Sequence, residues 1–229
     1  MPREAEASLP HECRGRTTNS YCVWGSIHQK KRKGGFFMVS NCVFGSVSRS
    51  GSLFVCGCSS LLGSGVSRVS VAGARAIDAK SSRWLEGMMA QLGPSVVVVS
   101  GLALGADTVA FKSALKNGNK CIAVLPSGFD NITPRSNLRL AREIVEAGGL
   151  LVSEYAPHKR ATRATYVARN RIIARLGKGL IVPQFEAKSG TRHTVDFAQQ
   201  LGRWIAVQNA DYSGNRFIIN NNKYITIAK

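Results

Sequence analysis

Residues Val96–Asp107 read VVVVSGLALGAD, and how this stretch is read decides the fold. Consecutive β-branched valines make too short a run for a free helix and match a strand buried on both faces of a parallel sheet. Ser100, Gly101 and Gly105 then supply a small-residue loop whose backbone can approach a ligand closely, and an apolar helix starts near Ala106. Such a strand, loop and helix N-terminus together make an anion site. The first helical N–H groups lack intrahelical acceptors, and the peptide dipoles add partial positive charge there. Phosphate is the natural guest. The spacing is not GxGxxG, and no GxxxxGKS or GxxxxGKT occurs, so neither dinucleotide nor P-loop binding follows. A tight βα turn with glycines needed only for geometry is the plain alternative.

Charge sharpens the choice. The chain of 229 residues holds 31 basic and 13 acidic side chains, a net +18. A chain this basic attracts polyanions through phosphate contacts and counterion release, so nucleic acid leads as partner class, with an anionic membrane surface behind it. Residues 1–68 carry nine basic and three acidic groups, and residues 69–229 carry twenty-two and ten. Lys159, Arg160, Arg163, Arg169, Arg171, Arg175, Lys178, Lys188 and Arg192 cluster against the single acid Glu186. Apolar residues interleave with them, which places the stripe on ordered elements rather than on a solvated tail.

Residues 1–66 are rich in Ser, Gly and Cys, show neither helical nor strand period and hold five of the six cysteines. They are expected to be an irregular, low-order basic extension, leaving 67–229 as the folded domain. Lys30–Lys33 (KKRK) is weak evidence for a localisation or polyanion patch. Ser50–Ser67 is uncharged, yet ten of its eighteen residues are Gly or Ser, too polar for a spanning helix. The first 29 residues contain acids and no apolar core segment, which argues against a cleaved signal peptide. Cys56 and Cys58 form a CxC. With Cys13, Cys22, Cys42, His11 and His28 they complete no zinc spacing, so no metal is expected. Reduced thiols, a cytoplasmic location and no membrane association are the expectation.

From Val69 onward the pattern alternates regularly. VSVAGAR is a first strand, Trp84 to Leu92 a helix, the valine run a second strand, Lys120–Leu125 a third and Leu150–Val152 a fourth. Tyr166–Leu176 reads as a helix carrying Arg169, Arg171 and Arg175, followed by the strand Gly179–Val182 and a second small-residue loop at Lys188–Thr191. Trp204–Val207 is expected to close the sheet, and Phe217–Ile227 to form a terminal hairpin. Such alternation means an α/β fold, a Rossmann-like doubly wound and mostly parallel sheet. Ligands bind beyond the carboxyl ends of its strands, where Gly73–Arg75, Ser100–Asp107, Ser127–Asn137 and Ser153–Tyr155 fall. Arg75 there can grip a phosphate bidentately, although a solvated arginine after a strand looks the same.

VAGAR, SGLALGAD, AVLPSGFD with Pro134 and Asn137, SEY, Tyr166 with ARNRIIA, and KSGT occur in this order. The series resembles the DNA-processing protein A family (DprA, also called Smf) over Val69–Val207. The resemblance implies a Rossmann-like domain that binds and protects single-stranded DNA without base specificity, helps load a RecA-type recombinase during natural transformation, and dimerises. It assigns DNA-phosphate contact to Gly73 and Arg75, to Ser100, Gly101, Gly105 and Asp107, and to Gly128, Asp130 and Asn131. Arg169, Asn170 and Arg171 match the family's RNR, and Ser189, Gly190 and Thr191 match its SGT. Tyr166 is the candidate base-stacking ring, with Phe129 and Tyr155 behind it, core packing being the alternative for each. Ala74 stands where the family has Ser or Thr, Thr133 where it has Tyr, and Gln184 where it has Glu.

No cofactor is implied. A rival class is a nucleotide-binding enzyme of a related fold that cleaves the N-glycosidic bond. Glu154 and Glu186 are the spare carboxylates for it, but its paired-glycine phosphate loop is missing and no catalytic constellation is evident.

Overall fold

Val97–Ser100 is a strand with all four residues buried, as the valine run dictates, and it lies near the middle of one large sheet. The structure is a computed structural model that describes residues 37–42, 45–50, 52–221 and 225–228. All of these lie within one compact unit, Lys31–Lys229. The strands in chain order are β1 (Phe37–Cys42), β2 (Gly45–Ser50), β3 (Leu53–Gly57), β4 (Arg68–Val71), β5 (Val97–Ser100), β6 (Cys121–Leu125), β7 (Leu150–Ser153), β8 (Gly179–Val182), β9 (Trp204–Gln208) and β10 (Ile225–Ala228). The helices are α1 (Ala79–Ala90), α2 (Ala106–Lys116), α3 (Leu138–Glu146), α4 (Arg163–Leu176), α5 (Thr191–Gln200) and α6 (Ser213–Asn221).

The strands lie in the order β1-β2-β3-β7-β6-β5-β4-β8-β9-β10. From β7 through β10 every pairing is parallel, as βα alternation with right-handed crossovers requires. The central strands are buried because helices cover both faces. Val69, Val71, Val98 and Leu151 pack with Leu85 and Met89 of α1, Phe111 of α2 and Ile144 of α3. On the other face Val97, Val99, Ile122 and Val152 meet Ile172 and Ile173 of α4. Leu180, Val182 and Ile205 meet Val195 of α5 and Ile218 of α6. The doubly wound, mostly parallel sheet expected from the sequence is the observed one.

Two expectations are corrected. The irregular extension foreseen up to residue 66 gives way to three antiparallel strands, β1, β2 and β3, of which Leu53–Gly57 pairs antiparallel with β7, Val55 opposite Val152 and Cys56 opposite Leu151. Successive side chains enter opposite faces: Val55 joins the cluster around Ile122, Cys56 the one around Phe111. The stretch is uncharged because its strand is interior, and the surrounding Gly and Ser hid so short an alternation. Residues 1–36, with the KKRK run, Cys13, Cys22, His11 and His28, lie outside the described residues.

The terminal hairpin is replaced by α6 and by β10, which pairs parallel with β9 (Ile225 opposite Ile205), so Trp204–Gln208 does not end the sheet. Gly214, Asn215 and Ile218 are the buried positions of α6, a helical spacing. Asn215 secures the helix: its Nδ2 donates to the carbonyls of Pro183 and Gln208, both at 2.9 Å, and its Oδ1 accepts from the Phe185 N–H at 3.1 Å.

Among the described residues no helix is long and apolar enough to cross a membrane.

Candidate nucleic-acid interface

Strand order reverses between β4 and β8, and beyond their carboxyl ends opens a cleft of about 350 Å³, where doubly wound sheets place ligands. Its walls include Gly73–Arg75, Tyr166, Arg169, Asn170 and Glu186, and it is closed by Ser189–Thr191. The two small-residue segments interlock: the Thr191 hydroxyl donates to the Gly73 carbonyl at 2.9 Å and Asn170 Nδ2 to the Gly190 carbonyl at 3.2 Å. Thr191 opens α5, so the N–H groups at that terminus border the cleft. Ser189 Oγ is buried without a hydrogen-bond partner. Gly190 leaves open space where a side chain would stand.

Arg75 is exposed at the mouth and lies over the Tyr166 ring, 5.2 Å from its centroid, with Arg169 at 5.9 Å. The ring is thus an electron-rich platform flanked by two cations. Lys188 beside the α5 terminus, Lys159 and Arg160 before α4 and Arg163 at its first position are exposed.

The other sequence candidates have other tasks. Ser100 is buried and its hydroxyl donates to the Val71 carbonyl at 2.8 Å, bridging β5 to β4. Arg169 is 5% exposed, and its Nη1 donates to the carbonyls of Gly101 at 2.5 Å and Val124 at 2.7 Å. It is therefore a strut under the loop and not a free phosphate fork, although its charge still faces the cleft. Buried Asp107 accepts from the Gly101 and Ala103 N–H groups, both at 3.1 Å. Burial pushes its carboxyl up, and the Arg169 guanidinium and the loop N–H groups pull it back. Arg169 in turn is lowered by burial and raised by Asp107. Asp107 borders the cleft, and its carboxylate is engaged in shaping the loop through these N–H groups. Gly105, at φ +71°, turns the chain against the Ala74 and Arg75 carbonyls, a place no side chain fits.

Gly128, Asp130 and Asn131 sit apart from the cleft. Their partners are in the next loop: the Gly128 N–H donates to the Lys159 carbonyl at 2.8 Å and the Asp130 N–H to that of Pro157 at 3.1 Å. Asp130 pairs with His158 at 2.6 Å, and Asn131 Nδ2 donates to the His158 carbonyl at 3.0 Å. Arg171 pairs with Glu154 at 2.5 Å. Phe129 is buried in the core. Burial and Glu154 push the Tyr155 phenol up, which keeps it neutral.

Asn137, read only as part of a motif, is a clamp. Its Nδ2 donates to the Leu102 and Ala103 carbonyls at 3.0 and 3.1 Å and lies 2.9 Å from Thr108 Oγ1. It thereby holds Leu102, buried at φ +61°, a conformation that costs a branched residue roughly 1–3 kcal/mol and persists only where surroundings impose it. Nothing in the local pattern could reveal that role, because the partners are 29 to 35 residues away in the chain.

A sequence model of the family described as DNA recombination-mediator protein A matches residues 48–226. The chain belongs to that family. The match begins before β3, in agreement with that strand's place in the sheet. Among relatives of the recombination-mediator family, the DNA processing protein DprA of Streptococcus pneumoniae is 39% identical over 136 residues, 59% of this chain and 48% of that protein. The chain spans about half the length of that curated relative. An X-ray structure of the Streptococcus pneumoniae protein superposes with TM-score 0.70 at 33% identity, covering 77% of this chain and 63% of that one. A Helicobacter pylori DNA processing protein A, whose structure is described as giving insight into its single-stranded DNA binding mode, superposes with TM-score 0.67 at 28% identity, covering 73% and 78%. The resemblance read from the ordered motifs is thus the family found.

Proposed function

We propose that this chain binds single-stranded DNA without base specificity, with the switch-point cleft gripping the phosphate backbone. The observation that carries the reading is Arg75, exposed and seated on Tyr166 across the cleft from the α5 N-terminus. Phosphate oxygens meet the guanidinium on one wall and backbone N–H groups with the free Ser189 hydroxyl on the other, and a base takes the Tyr166 ring. Exposed Lys188, Lys159, Arg160 and Arg163 extend the track. None of these groups reads a base edge, so sequence independence follows. The fold likeness to the Helicobacter pylori protein supports the same ligand. Protection of strands, delivery to a RecA-type recombinase, homodimerisation and a cytoplasmic, non-catalytic role in DNA uptake complete the proposal, by the family resemblance.

The test is fluorescence anisotropy of the full chain with labelled oligo(dT) at several salt concentrations, beside Arg75→Ala and a double-stranded competitor. Single-strand binding that falls steeply with salt and is crippled by Arg75→Ala is the expected result. Each single-strand phosphate contact contributes a slope of about 0.7 in log K against log salt. Binding indifferent to strandedness and to Arg75 refutes the proposal. Saturation by a mononucleotide with turnover would replace it with the nucleotide-enzyme reading.

A further inference from the structure

The segment carrying Arg75 is fastened at both ends by one residue of the neighbouring loop. The Ala74 N–H donates to the Gln184 carbonyl at 2.7 Å, and the Asp78 N–H donates to Gln184 Oε1 at 2.9 Å. Gln184 follows β8 after Pro183 and is half-buried at the switch point. Each end has a further tie. The Ala74 carbonyl accepts from the Ala106 N–H at 3.0 Å. Asp78 caps α1 by accepting from the Ser81 N–H at 2.7 Å, and it accepts a hydrogen bond from the Tyr212 hydroxyl. Between these ends Arg75 and Ala76 are exposed. Arg75 rides on a strap whose far end is tied to the β8 loop by a single side-chain acceptor.

We infer that Gln184 is the positioning residue for Arg75, holding the strap so that the guanidinium waits over Tyr166 before any strand arrives. This rests on the strand-binding proposal. A loop already ordered does not lose its backbone freedom when the ligand binds, so the arginine's contact counts in full toward affinity. The amide does this as a neutral acceptor. A carboxylate would accept the same N–H but would set a negative charge beside a polyanion track. Without the acceptor the Asp78 end keeps only its ties to α1 and Tyr212, so Arg75 samples a wider range of positions and its phosphate contact is weakened while the rest of the cleft is intact.

The experiment is a double-mutant cycle on the full chain, read by oligo(dT) anisotropy across a salt series, with far-UV circular dichroism and thermal melting as folding controls. Gln184→Leu is expected to weaken binding and to lower the salt slope by about 0.7, one phosphate contact. In an Arg75→Ala background Gln184→Leu is expected to change affinity less than about twofold, because the two substitutions remove one interaction. Gln184→Glu keeps the acceptor, so Arg75→Ala retains its full cost in that background, and the added charge weakens binding most at low salt. Should Gln184→Leu not fold, Gln184→Asn, one methylene too short to reach the Asp78 N–H, carries the same expectation. A wild-type chain that binds no oligo(dT), or is indifferent to Arg75→Ala, overturns the strand-binding proposal. Normal wild-type binding, a crippled Arg75→Ala and an equal loss from Gln184→Leu in both backgrounds overturn the positioning role alone.

Discussion

Gly101→Ala and Gly190→Ala should separate two kinds of glycine that look alike in the chain. A Cβ on Gly101 would stand 2.0 Å from Arg169 Nη1 and 2.4 Å from its Cζ, inside any allowed contact. The guanidinium must then leave the carbonyls of Gly101 and Val124, which it reaches at 2.5 and 2.7 Å. Each hydrogen bond to a buried charge contributes about 1.5–3 kcal/mol, so losing both removes roughly 3–6 kcal/mol. Loss of the cation's fixed place beside buried Asp107 overlaps with this sum and is not added to it. With a urea dependence of about 2 kcal/mol per molar, 4 kcal/mol lowers the unfolding midpoint by about 2 M. At Gly190 the backbone is at φ −61° and a Cβ meets nothing within 4 Å. That substitution should change stability by less than about 1 kcal/mol, while its methyl, standing in the cleft, weakens oligo(dT) binding. The assay is urea unfolding followed by circular dichroism, paired with anisotropy of the folded variants. A Gly101→Ala chain within about 1 kcal/mol of wild type refutes the strut role of Arg169. Gly190→Ala with unaltered DNA affinity removes that loop from the interface.

The Asp107 carboxyl is raised by burial, so between its unfolded value near 3.8 and its higher folded value the native state holds the extra proton. Its contribution is therefore complete below 3.8 and falls as pH rises through the folded value. The stability difference between wild type and Asp107→Asn, measured by urea unfolding across pH, should decline as pH rises in that window; a flat or rising difference contradicts the assignment. The Cys121 thiol, fully buried and pushed up to about 12, should resist an alkylating reagent at pH 8 in the folded chain and react on unfolding, as mass spectrometry of the alkylated peptides will show. Tyr166→Phe keeps the ring that carries Arg75 and should bind oligo(dT) nearly as wild type does, whereas Tyr166→Leu should lose roughly 1–3 kcal/mol; equal losses would mean that the hydroxyl, 3.4 Å from Thr133 Oγ1, is what matters.

The fold was legible where a residue's own character forces its state. The valine run has no option but a buried strand, and the apolar period read from Trp84 falls on α1, which ends at Ala90. The alternation of these elements then implies the parallel sheet and the edge on which ligands gather. Gly73, Arg75, Tyr166, Asn170 and Ser189–Thr191, named from the motif series, line one cleft in the structure. Leu53–Gly57 was not legible: a five-residue strand amid serines becomes a strand only when β7 offers its edge. The same holds for α6, whose apolar FII fits either period until Asn215 finds the Pro183 and Gln208 carbonyls.

From its sequence alone, then, this protein has a doubly wound, mostly parallel sheet, a strongly basic composition and a pair of small-residue loops that open helices. Periodicity, β-branching and charge are properties of neighbouring residues and survive without knowledge of the rest. Which arginine faces outward is a different matter. Arg75 and Arg169 both border the Tyr166 ring, yet one is exposed and the other holds two carbonyls beneath the loop. Gln184 and Asn137 likewise take their tasks from partners distant in the chain. Only the tertiary structure decides these, because a long polar side chain is directed by whichever unsatisfied group the folded chain brings within reach.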